Sequence, residues 1–393
     1  MIHSVDEFKT HFESVRSGAG YKDPIAFGIA RVDMGQKNQD KVLAASFAVV
    51  NYNESYLSAA VLFEALKSAG VSVDFSGSEF VAEFSAAAAA AALASFAPFA
   101  AELDKHPNVA LISKIAEVLK DDPSAKFKAV FIFRDEKPAS VESVYLKLYL
   151  LSLGKAELRS LVLDGAFGVL SNVAWDKDGK PIELEWLCEN EIDLKMRGAY
   201  PAITSVDKFP RYLSHIIPAD NVRVLDTAKV RMGAQLAGGT TIMPGAAYVN
   251  FNAGTTGSVM VEGRVSSSVV VGEGSDVGGG ASILGVLSGT NGNPVSIGKR
   301  CLLGANSVTG IPFGDDCIID AGIAVLEGTK VHIGEKDREA LAKINPSFKF
   351  DRELYKGLEL AGLNGLHFRQ NSQTGQIVAA LSKRAIKLNS DLH

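Results

Sequence analysis

Residues 259–283 read VMVEGRVSSSVVVGEGSDVGGGASI, and a small apolar side chain returns in this stretch at every sixth position. The same interval continues outward on both sides, from residue 224 to residue 331. It is kept by Val224, Val230, Leu236, Ile242, Val259, Val265, Val271, Val277, Ile283, Ile297, Leu303, Phe313, Ile319, Val325 and Val331. A six-residue period fits neither a helix nor an alternating strand, and it is typical of stacked repeats that bury their apolar faces only against one another. We therefore predict a left-handed parallel β-helix built from hexapeptide repeats, with strands about 4.8 Å apart.

Glycine often follows the predicted core residue, as in Val271-Gly272 and Leu303-Gly304. Sharp corners favour such residues, because glycine tolerates positive backbone torsions. The alternative is a Gly-rich loop of low complexity, which the long in-phase run of Val, Ile and Leu disfavours. The period is interrupted at 243–258 and at 284–296, and we expect both interruptions to leave the solenoid as loops.

Composition limits the class of protein. The chain has 393 residues, 40 Lys and Arg, 45 Asp and Glu, and a formal net charge of −5, so no global field favours nucleic acid or an anionic membrane as a partner. Three cysteines without metal-ligand spacing (Cys188, Cys301 and Cys317) favour a reducing compartment, and we expect Cys301 and Cys317 to be buried packing residues. The charged start and the short apolar segment Ala86–Ala101 predict a cytoplasmic protein, since a bilayer span needs about 20 apolar residues.

Four segments differ in their patterns. We predict an N-terminal α/β domain at 1–120, a middle α/β segment at 121–205, the β-helix at 206–334, and a short C-terminal α/β extension at 335–393 that closes the active site. Predicted strands are Ile25–Val32, Val42–Asn51, Phe127–Arg134, Val162–Trp175, Pro181–Leu187 and the extended piece Gln376–Leu388. Predicted helices are Glu54–Ala69, Ala86–Leu103, Val109–Leu119, Ser140–Gly154 and Glu335–Lys343.

The β-helix suggests acyl transfer from a coenzyme A thioester. Such prisms commonly pack as trimers and leave long grooves between subunits, where a pantetheine arm can lie. An amine attacks the thioester carbonyl, and a base takes its surplus proton. Glu262 is a candidate base, although a glutamate beside an arginine such as Arg264 is more often part of a solvated ion pair. Asp276 is more often a corner residue than a base.

Other candidate sites in this half are weaker. Lys356, Arg369, Lys383 and Arg384 could meet the coenzyme phosphates, but surface cations are common. A zinc site of the carbonic-anhydrase kind would need about three histidines. The β-helix offers only His215 at its edge and His332 at its end.

Several longer motifs resemble one family within the hexapeptide proteins. They are Val249-Asn250-Phe251-Asn252-Ala253-Gly254-Thr255, Met260-Val261-Glu262-Gly263-Arg264, the segments 274–282 and 301–307, and Phe368-Arg369-Gln370-Asn371-Ser372. With these motifs the chain resembles the long-chain type of tetrahydrodipicolinate N-succinyltransferase. The resemblance covers residues 205–393, and the N-terminal half is similar in layout with weaker motifs.

The resemblance implies a homotrimer with active sites between subunits, in lysine and diaminopimelate biosynthesis. Succinyl-CoA, as co-substrate, would react with tetrahydrodipicolinate and water to give N-succinyl-2-amino-6-oxopimelate and CoA, with no cofactor bound permanently. The family's catalytic glutamate falls on Glu262, as acceptor of the acyl group in an anhydride or as base in direct transfer, and both routes stay open. Substrate and coenzyme binding is implied for Arg264, Gly279, Ser282, Ala305, Asp320, Ala321, Gly328, Lys356, Arg369, Gln370, Asn371 and Ser372.

Two positions depart from the family's pattern. Gln370 stands where relatives can carry a second arginine, and Asp320 stands where some have glutamate. Some relatives also bind magnesium on the trimer axis, but the corresponding stretches here offer only Asp226, so no metal is predicted. The alternatives are a hexapeptide acetyltransferase acting on a related amine and a non-enzymatic trimeric scaffold.

Overall fold

The computed structural model describes residues 2–286 and 292–383 and divides into two compact units. The first unit contains residues 1–150 and 160–210, and the second contains 151–159 and 211–393. None of the helices in these described ranges is long and apolar enough to span a bilayer.

The first unit carries an antiparallel sheet of four strands in the order β2-β1-β4-β3 and a second sheet of three strands in the order β6-β5-β7. Its strands are β1 Ala26–Met34, β2 Val42–Tyr52, β3 Glu79–Glu83, β4 Phe127–Ile132, β5 Val173–Asp176, β6 Pro181–Glu183 and β7 Ile203–Asp207. Its helices are α1 Val5–Arg16, α2 Tyr56–Ser68, α3 Ala86–Ser95, α4 Pro107–Asp121, α5 Val141–Ser152, α6 Ala166–Val169 and α7 Leu184–Met196. The alanine-rich helix α3 packs against a core that includes Phe8, Phe63 and Phe131.

The second unit is a parallel β-helix of very short strands. Its strands are β8 Arg223–Val224, β9 Thr241–Ile242, β10 Tyr248–Val249, β11 Gly254–Thr255, β12 Met260–Val261, β13 Arg264–Val265, β14 Val270–Val271, β15 Asp276–Val277, β16 Ser282–Ile283, β17 Ser296–Ile297, β18 Leu302–Leu303, β19 Val308–Thr309, β20 Ile318–Ile319 and β21 Ala324–Val325. Each coil visits three faces in turn. Face 1 holds β8, β9, β12, β15, β18 and β20; face 2 holds β10, β13, β16, β19 and β21; face 3 holds β11, β14 and β17.

The predicted six-residue period of core residues is confirmed by their burial. Every predicted core position except the half-buried Val224 is buried. The coils are not equally long: Met260 pairs with Asp276 and Leu302 with Ile318, sixteen residues on in each case, whereas Asp276 pairs with Leu302, twenty-six residues on. The corners therefore absorb the differences in length while the strands stay in register.

The prediction of a loop at 243–258 was wrong, because this stretch holds β10 and β11. A threonine, Thr255, fills the apolar position there, and its hydroxyl lies 2.7 Å from that of Thr240 inside the core. The prediction that Val259 is the core residue of its strand was also wrong. Val261 is the residue in register with Val277, so only three residues separate it from the next core position, Val265. The second interruption lies between Ile283 and Ile297, and its residues 287–291 are outside the described part.

The C-terminal segment extends face 1. Its elements are β22 Lys330–His332, α8 Glu335–Ile344, β23 Leu354–Lys356, β24 Leu366–Gln370 and β25 Ile377–Leu381. Strand β24 pairs in parallel with β20 and in antiparallel with β25, so it continues the stacking of the coils. The predicted extended piece Gln376–Leu388 is confirmed over β25, and its residues from 384 onward lie outside the described ones.

Three further predictions in the first unit were wrong in part. Val162–Trp175 is a strand only from Val173, because Gly165 has a positive φ of 87° and is the N-cap residue of helix α6. Pro181–Leu187 is a strand only to Glu183, since the following Leu- and Glu-rich residues form α7. The helix predicted over Ala86–Leu103 ends at Ser95 and is followed by 3-10 turns.

Candidate active site at the first corner of the β-helix

Glu262 lies on an unusually short corner. The turns that lead from face 1 to face 2, here called the first corner, contain residues 243–247, 262–263, 278–281, 304–307 and 320–323. The turn of Glu262 has only two residues, whereas the turn before it has five and each turn after it has four. Glu262 therefore lies in a notch between two longer turns.

Glycines line this notch. A Cβ built on Gly279 would lie 3.7 Å from Glu262 Oε2, and the backbone N–H of Gly280 donates to the Glu262 carbonyl at 3.4 Å. A Cβ on Gly263 would lie 2.3 Å from the carbonyl oxygen of Ala281, so the short turn can pack there only as glycine. Gly279 thus leaves space beside the carboxylate, in which a reacting group can approach it.

Arg264 and Ser282 form a pair beside the notch. They are in register on neighbouring strands of face 2, and the Arg264 guanidinium donates to Ser282 Oγ from Nε at 3.1 Å and from Nη2 at 2.7 Å. The Arg264 guanidinium bonds to Ser282, and among the described residues no ion pair joins it to Glu262, so the ion-pair alternative is not what the structure has. An exposed guanidinium held by a hydroxyl keeps donors for a carboxylate ligand.

Ala305, Asp320 and Ala321 continue the first corner, coil after coil. The N–H of Asn306 donates to the Gly279 carbonyl at 2.9 Å, and the N–H of Gly322 donates to the Ala305 carbonyl at 2.9 Å. Ala305 and Ala321 are exposed. From Glu262 to Asp320, the first corner is therefore a line of mostly small residues.

The hairpin of β24 and β25 reaches this line through Asp320. His367 Nε2 lies 2.8 Å from Asp320 Oδ1, and Arg369 Nε lies 3.4 Å from Asp320 Oδ2. His367 was missed by the sequence analysis. The signal was present, because in Leu366–Gln370 polar residues alternate with the buried Leu366 and Phe368.

The rest of the predicted segment forms the exposed tip of that hairpin. Gln370 Nε2 donates to the Gly375 carbonyl at 3.0 Å, and Asn371 Oδ1 accepts from the N–H groups of Gln373 and Thr374 at 2.9 and 3.3 Å. Ser372 is exposed in the same turn. The side chain of Asn371 thus shapes the turn itself.

Gly328 and Lys356 are at a different corner. Gly328 lies in the turn 326–329, which follows face 2 and is here called the second corner, and Lys356 pairs with Lys330 just beyond it. The Gly357 N–H donates to the Thr329 carbonyl at 2.8 Å, which fixes the Lys356 strand against this turn. One chain therefore does not gather all the predicted residues: Gly328 and Lys356 are on the second corner, and Glu262 is on the first.

The remaining candidates are dispersed. Lys383 lines a surface hollow of about 610 Å³ together with Asp337, His367 and Arg369, and Arg384 lies outside the described residues. Asp226 caps a 3-10 turn by accepting from the Ala228 N–H at 2.9 Å. Within 2–286 and 292–383, no three His, Cys, Asp or Glu residues gather as metal ligands would.

Cys301 and Cys317 are buried, as predicted, at matching positions of adjacent coils. Their thiols donate to backbone carbonyls, from Cys301 to Gly314 at 3.1 Å and from Cys317 to Leu363 at 3.2 Å. The contact between the two thiols lowers the pKa of Cys301, and the same contact together with burial raises the pKa of Cys317. Both cysteines are packing residues below the corners.

Comparisons with known proteins match the chain to one family. Family models match residues 6–168 (tetrahydrodipicolinate N-succinyltransferase N-terminal), 170–211 (the middle domain of the same family) and 294–327 (hexapeptide repeat of succinyl-transferase). The chain is 61% identical over 393 residues to the 2,3,4,5-tetrahydropyridine-2,6-dicarboxylate N-succinyltransferase of Campylobacter jejuni, with 100% of both chains covered, and 47% identical to that of Helicobacter pylori, with 99% and 100% covered.

A solved structure gives the same result for the fold. A Campylobacter jejuni crystal structure, described as a 2,3,4,5-tetrahydropyridine-2-carboxylate N-succinyltransferase, superposes with a TM-score of 0.93 at 60% identity, over 98% of this chain and 100% of that one. The two family models for the N-terminal and middle domains together span more than half of the sequence. The chain therefore belongs to the tetrahydrodipicolinate N-succinyltransferase family.

Proposed function

We propose that the protein transfers the succinyl group of succinyl-CoA to the amine of opened, hydrated tetrahydrodipicolinate, giving N-succinyl-2-amino-6-oxopimelate and CoA in lysine and diaminopimelate biosynthesis. The observation that carries this proposal is the notch at the first corner, where the Glu262 carboxylate lies beside Gly279 on a chain of this family. The proposal treats succinyl-CoA as a co-substrate and includes no permanently bound cofactor.

Glu262 is the proposed catalytic residue. In direct transfer the amine nitrogen attacks the thioester carbonyl, the carboxylate takes the surplus proton, and the carbon–sulfur bond breaks as the proton passes to the leaving CoA thiolate. In the covalent route the carboxylate attacks first and CoA leaves as the thiolate; the amine then attacks the succinyl carbonyl of the anhydride, the bond to Glu262 breaks and frees its carboxylate, and the surplus amine proton passes to the thiolate. Incubation with labelled succinyl-CoA in the absence of acceptor distinguishes them, since only the anhydride route leaves label on the protein.

The remaining predicted residues have proposed binding roles. Arg264, held by Ser282, would bind a substrate carboxylate through its free donors, and Gly279 would border the succinyl group. Ala305, Asp320, Ala321 and Gly328 would line the coenzyme groove, while Lys356, Arg369, Gln370, Asn371 and Ser372 would close it.

The proposed assembly is a cytoplasmic homotrimer of left-handed β-helices with active sites between subunits. The separation of Glu262 and Lys356 onto two corners supports it, because a closed ring brings different corners of neighbouring copies together. Mixing E262Q and K356A subunits tests this arrangement. If the two residues act from different chains, about one site in four across all trimers of a random equal mixture regains both, and activity returns from two impaired parents. No recovery on mixing would contradict a shared site.

Release of CoA tests the activity itself. A thiol-reactive dye should report acceptor-dependent CoA release with succinyl-CoA and far less with acetyl-CoA. Preference for acetyl-CoA would replace the proposal with the acetyltransferase alternative, and no acceptor-dependent release with either would favour the scaffold. The division into 1–120, 121–205, 206–334 and 335–393 also remains proposed, and limited proteolysis would locate the boundaries.

A further inference from the structure

Asp320 is held on both of its carboxylate oxygens by one strand. His367 lies 2.8 Å from Oδ1 through Nε2, and Arg369 lies 3.4 Å from Oδ2 through Nε. An ionised carboxylate can only accept hydrogen bonds, so Nε2 of His367 carries the hydrogen that is shared with Oδ1.

The strand that supplies both partners is fixed by the core. Between His367 and Arg369 lies Phe368, which is fully buried and stacks on Phe313 with ring centroids 5.4 Å apart. The Asp320 N–H also donates to the Phe368 carbonyl at 3.0 Å. Because successive side chains of a strand point to opposite faces, burial of Phe368 directs both His367 and Arg369 outward at Asp320.

The two residues that contact Asp320 differ in how freely their side chains can move. The side chain of His367 is 21% exposed, whereas that of Arg369 is 60% exposed, and Asp320 itself is 43% exposed. A long, exposed arginine can leave a 3.4 Å contact to bind a phosphate, whereas the enclosed imidazole has less room to move. His367 can therefore keep Asp320 in place while Arg369 turns to a ligand.

We propose that His367 is a positioning residue for coenzyme binding, which fixes the Asp320 carboxylate at the end of the first corner and so frees Arg369 for the anionic part of CoA. The inference rests on the proposed function. It concerns how the groove is held in shape, and His367 has no part in the chemical step.

The test compares H367L, which removes the donor, with H367Q, whose side-chain amide nitrogen can replace Nε2. Both the Kd for CoA, by calorimetry, and the KM for succinyl-CoA are measured. In H367L both should rise about tenfold with kcat nearly unchanged, as expected for one lost hydrogen bond to a charged group, and H367Q should stay within about twofold of the unsubstituted protein. On a D320N background H367L should have little further effect.

The matched control is H332L. His332 also contacts a glutamate, Glu353, at 3.4 Å, but it does so on β22 and away from Asp320. It should leave both constants unchanged. Three outcomes would each overturn the proposal. H367L could bind CoA as tightly as the unsubstituted protein, H367Q could lose as much affinity as H367L, or the effects of H367L and D320N could be fully additive. If CoA binds but no succinyl is transferred, the proposed function fails while the ratio of Kd values still decides the role of His367.

Discussion

Glu262 and Asp320 occupy the same position of the repeat three coils apart, and the two intervening coils have glycine there, Gly278 and Gly304. With strands about 4.8 Å apart, the two carboxylate-bearing positions are about 14 Å apart along the corner. At this position of the repeat, the corner between them therefore carries no side chain. In the proposed function, this leaves an extended acyl-pantetheine chain free to follow the backbone from one acidic residue to the other.

Replacing Glu262 with glutamine removes the carboxylate from the notch and keeps its size. We expect kcat to fall by about 10²- to 10⁴-fold, because the amide can neither take the proton of the amine nor form an anhydride. The KM for succinyl-CoA should change little, since Gly279 and the groove residues remain. Steady-state CoA release measures both constants.

The control for this variant is E273Q. Glu273 is an exposed glutamate of the same β-helix, and it lies 3.8 Å from Lys299 and away from the first corner. Its replacement should leave kcat within about twofold, since exposed ion pairs contribute little. An equal loss of activity in E273Q, or an active E262Q, would contradict the role of Glu262.

Alanine at Gly304 should damage the floor of the groove. Its Cβ would lie 2.5 Å from the Ala321 backbone nitrogen and 2.8 Å from the Asp320 carbonyl carbon, so the two coils must move apart. We expect a loss of roughly 1–3 kcal/mol in the free energy of unfolding and a higher KM for succinyl-CoA. In urea unfolding at fixed protein concentration, G334A is the control, because a Cβ on Gly334 meets no atom within 4 Å. Equal midpoints for the two variants would show that the coils do not need glycine at residue 304.

Much of this architecture was accessible from sequence because a β-helix repeats its core position. Val271, Val277 and Ile283 could be assigned to the core without knowledge of any contact. The register near Glu262 could not, because Val259 and Val261 are both buried valines, and only pairing with the next coil selects Val261. The short corner, which is the most informative feature of the site, follows from that choice.

Other features could not be predicted from the sequence, because they depend on contacts between residues that are distant in sequence. Thr255 does not look like a core residue until its hydroxyl meets Thr240. His367 is recognised as a site residue only through its contact with Asp320, which lies 47 residues earlier. Arg159 is a third example: it precedes the repeats in sequence and bonds to three segments of the β-helix, through its backbone N–H to Asn252 Oδ1 and through its guanidinium to Ser268 and to the neighbouring Val295 and Ser296.

Lysine at position 159 should loosen the β-helix. The Arg159 guanidinium donates to the Ser268 carbonyl at 2.6 Å, to the Val295 carbonyl at 2.7 Å and to Ser296 Oγ at 2.9 Å, whereas one ammonium group cannot reach all three in this geometry. We expect the free energy of unfolding to fall by roughly 1–3 kcal/mol, since partly buried acceptors lose their donors.

Thermal unfolding measures this effect against R197K, in which the exposed Arg197 contacts only the exposed Asp193 among its acidic neighbours in the described residues. That control should shift stability by less than about 0.5 kcal/mol. If R159K and R197K had the same melting temperature, the stabilising role of the Arg159 guanidinium would be refuted.

His215 should make stability depend on pH. Burial lowers the pKa of this imidazole to about 4, below the value near 6.5 that it has in an unfolded chain. The unfolded state therefore binds a proton that the folded state does not bind between pH 6.5 and pH 4. Stability from this group is complete above pH 6.5 and is lost progressively as the pH falls to 4.

The H215Q variant removes this titration. We expect the melting temperature of the unsubstituted protein to fall more between pH 7 and pH 5 than that of H215Q. The control is H332Q, in which a more exposed histidine is replaced, and it should behave like the unsubstituted protein. The comparison uses the difference between the two pH values within each variant, so a general loss of stability in H215Q does not affect it. If H215Q keeps the full pH dependence, other groups cause the acid sensitivity, and the buried neutral imidazole does not contribute to it.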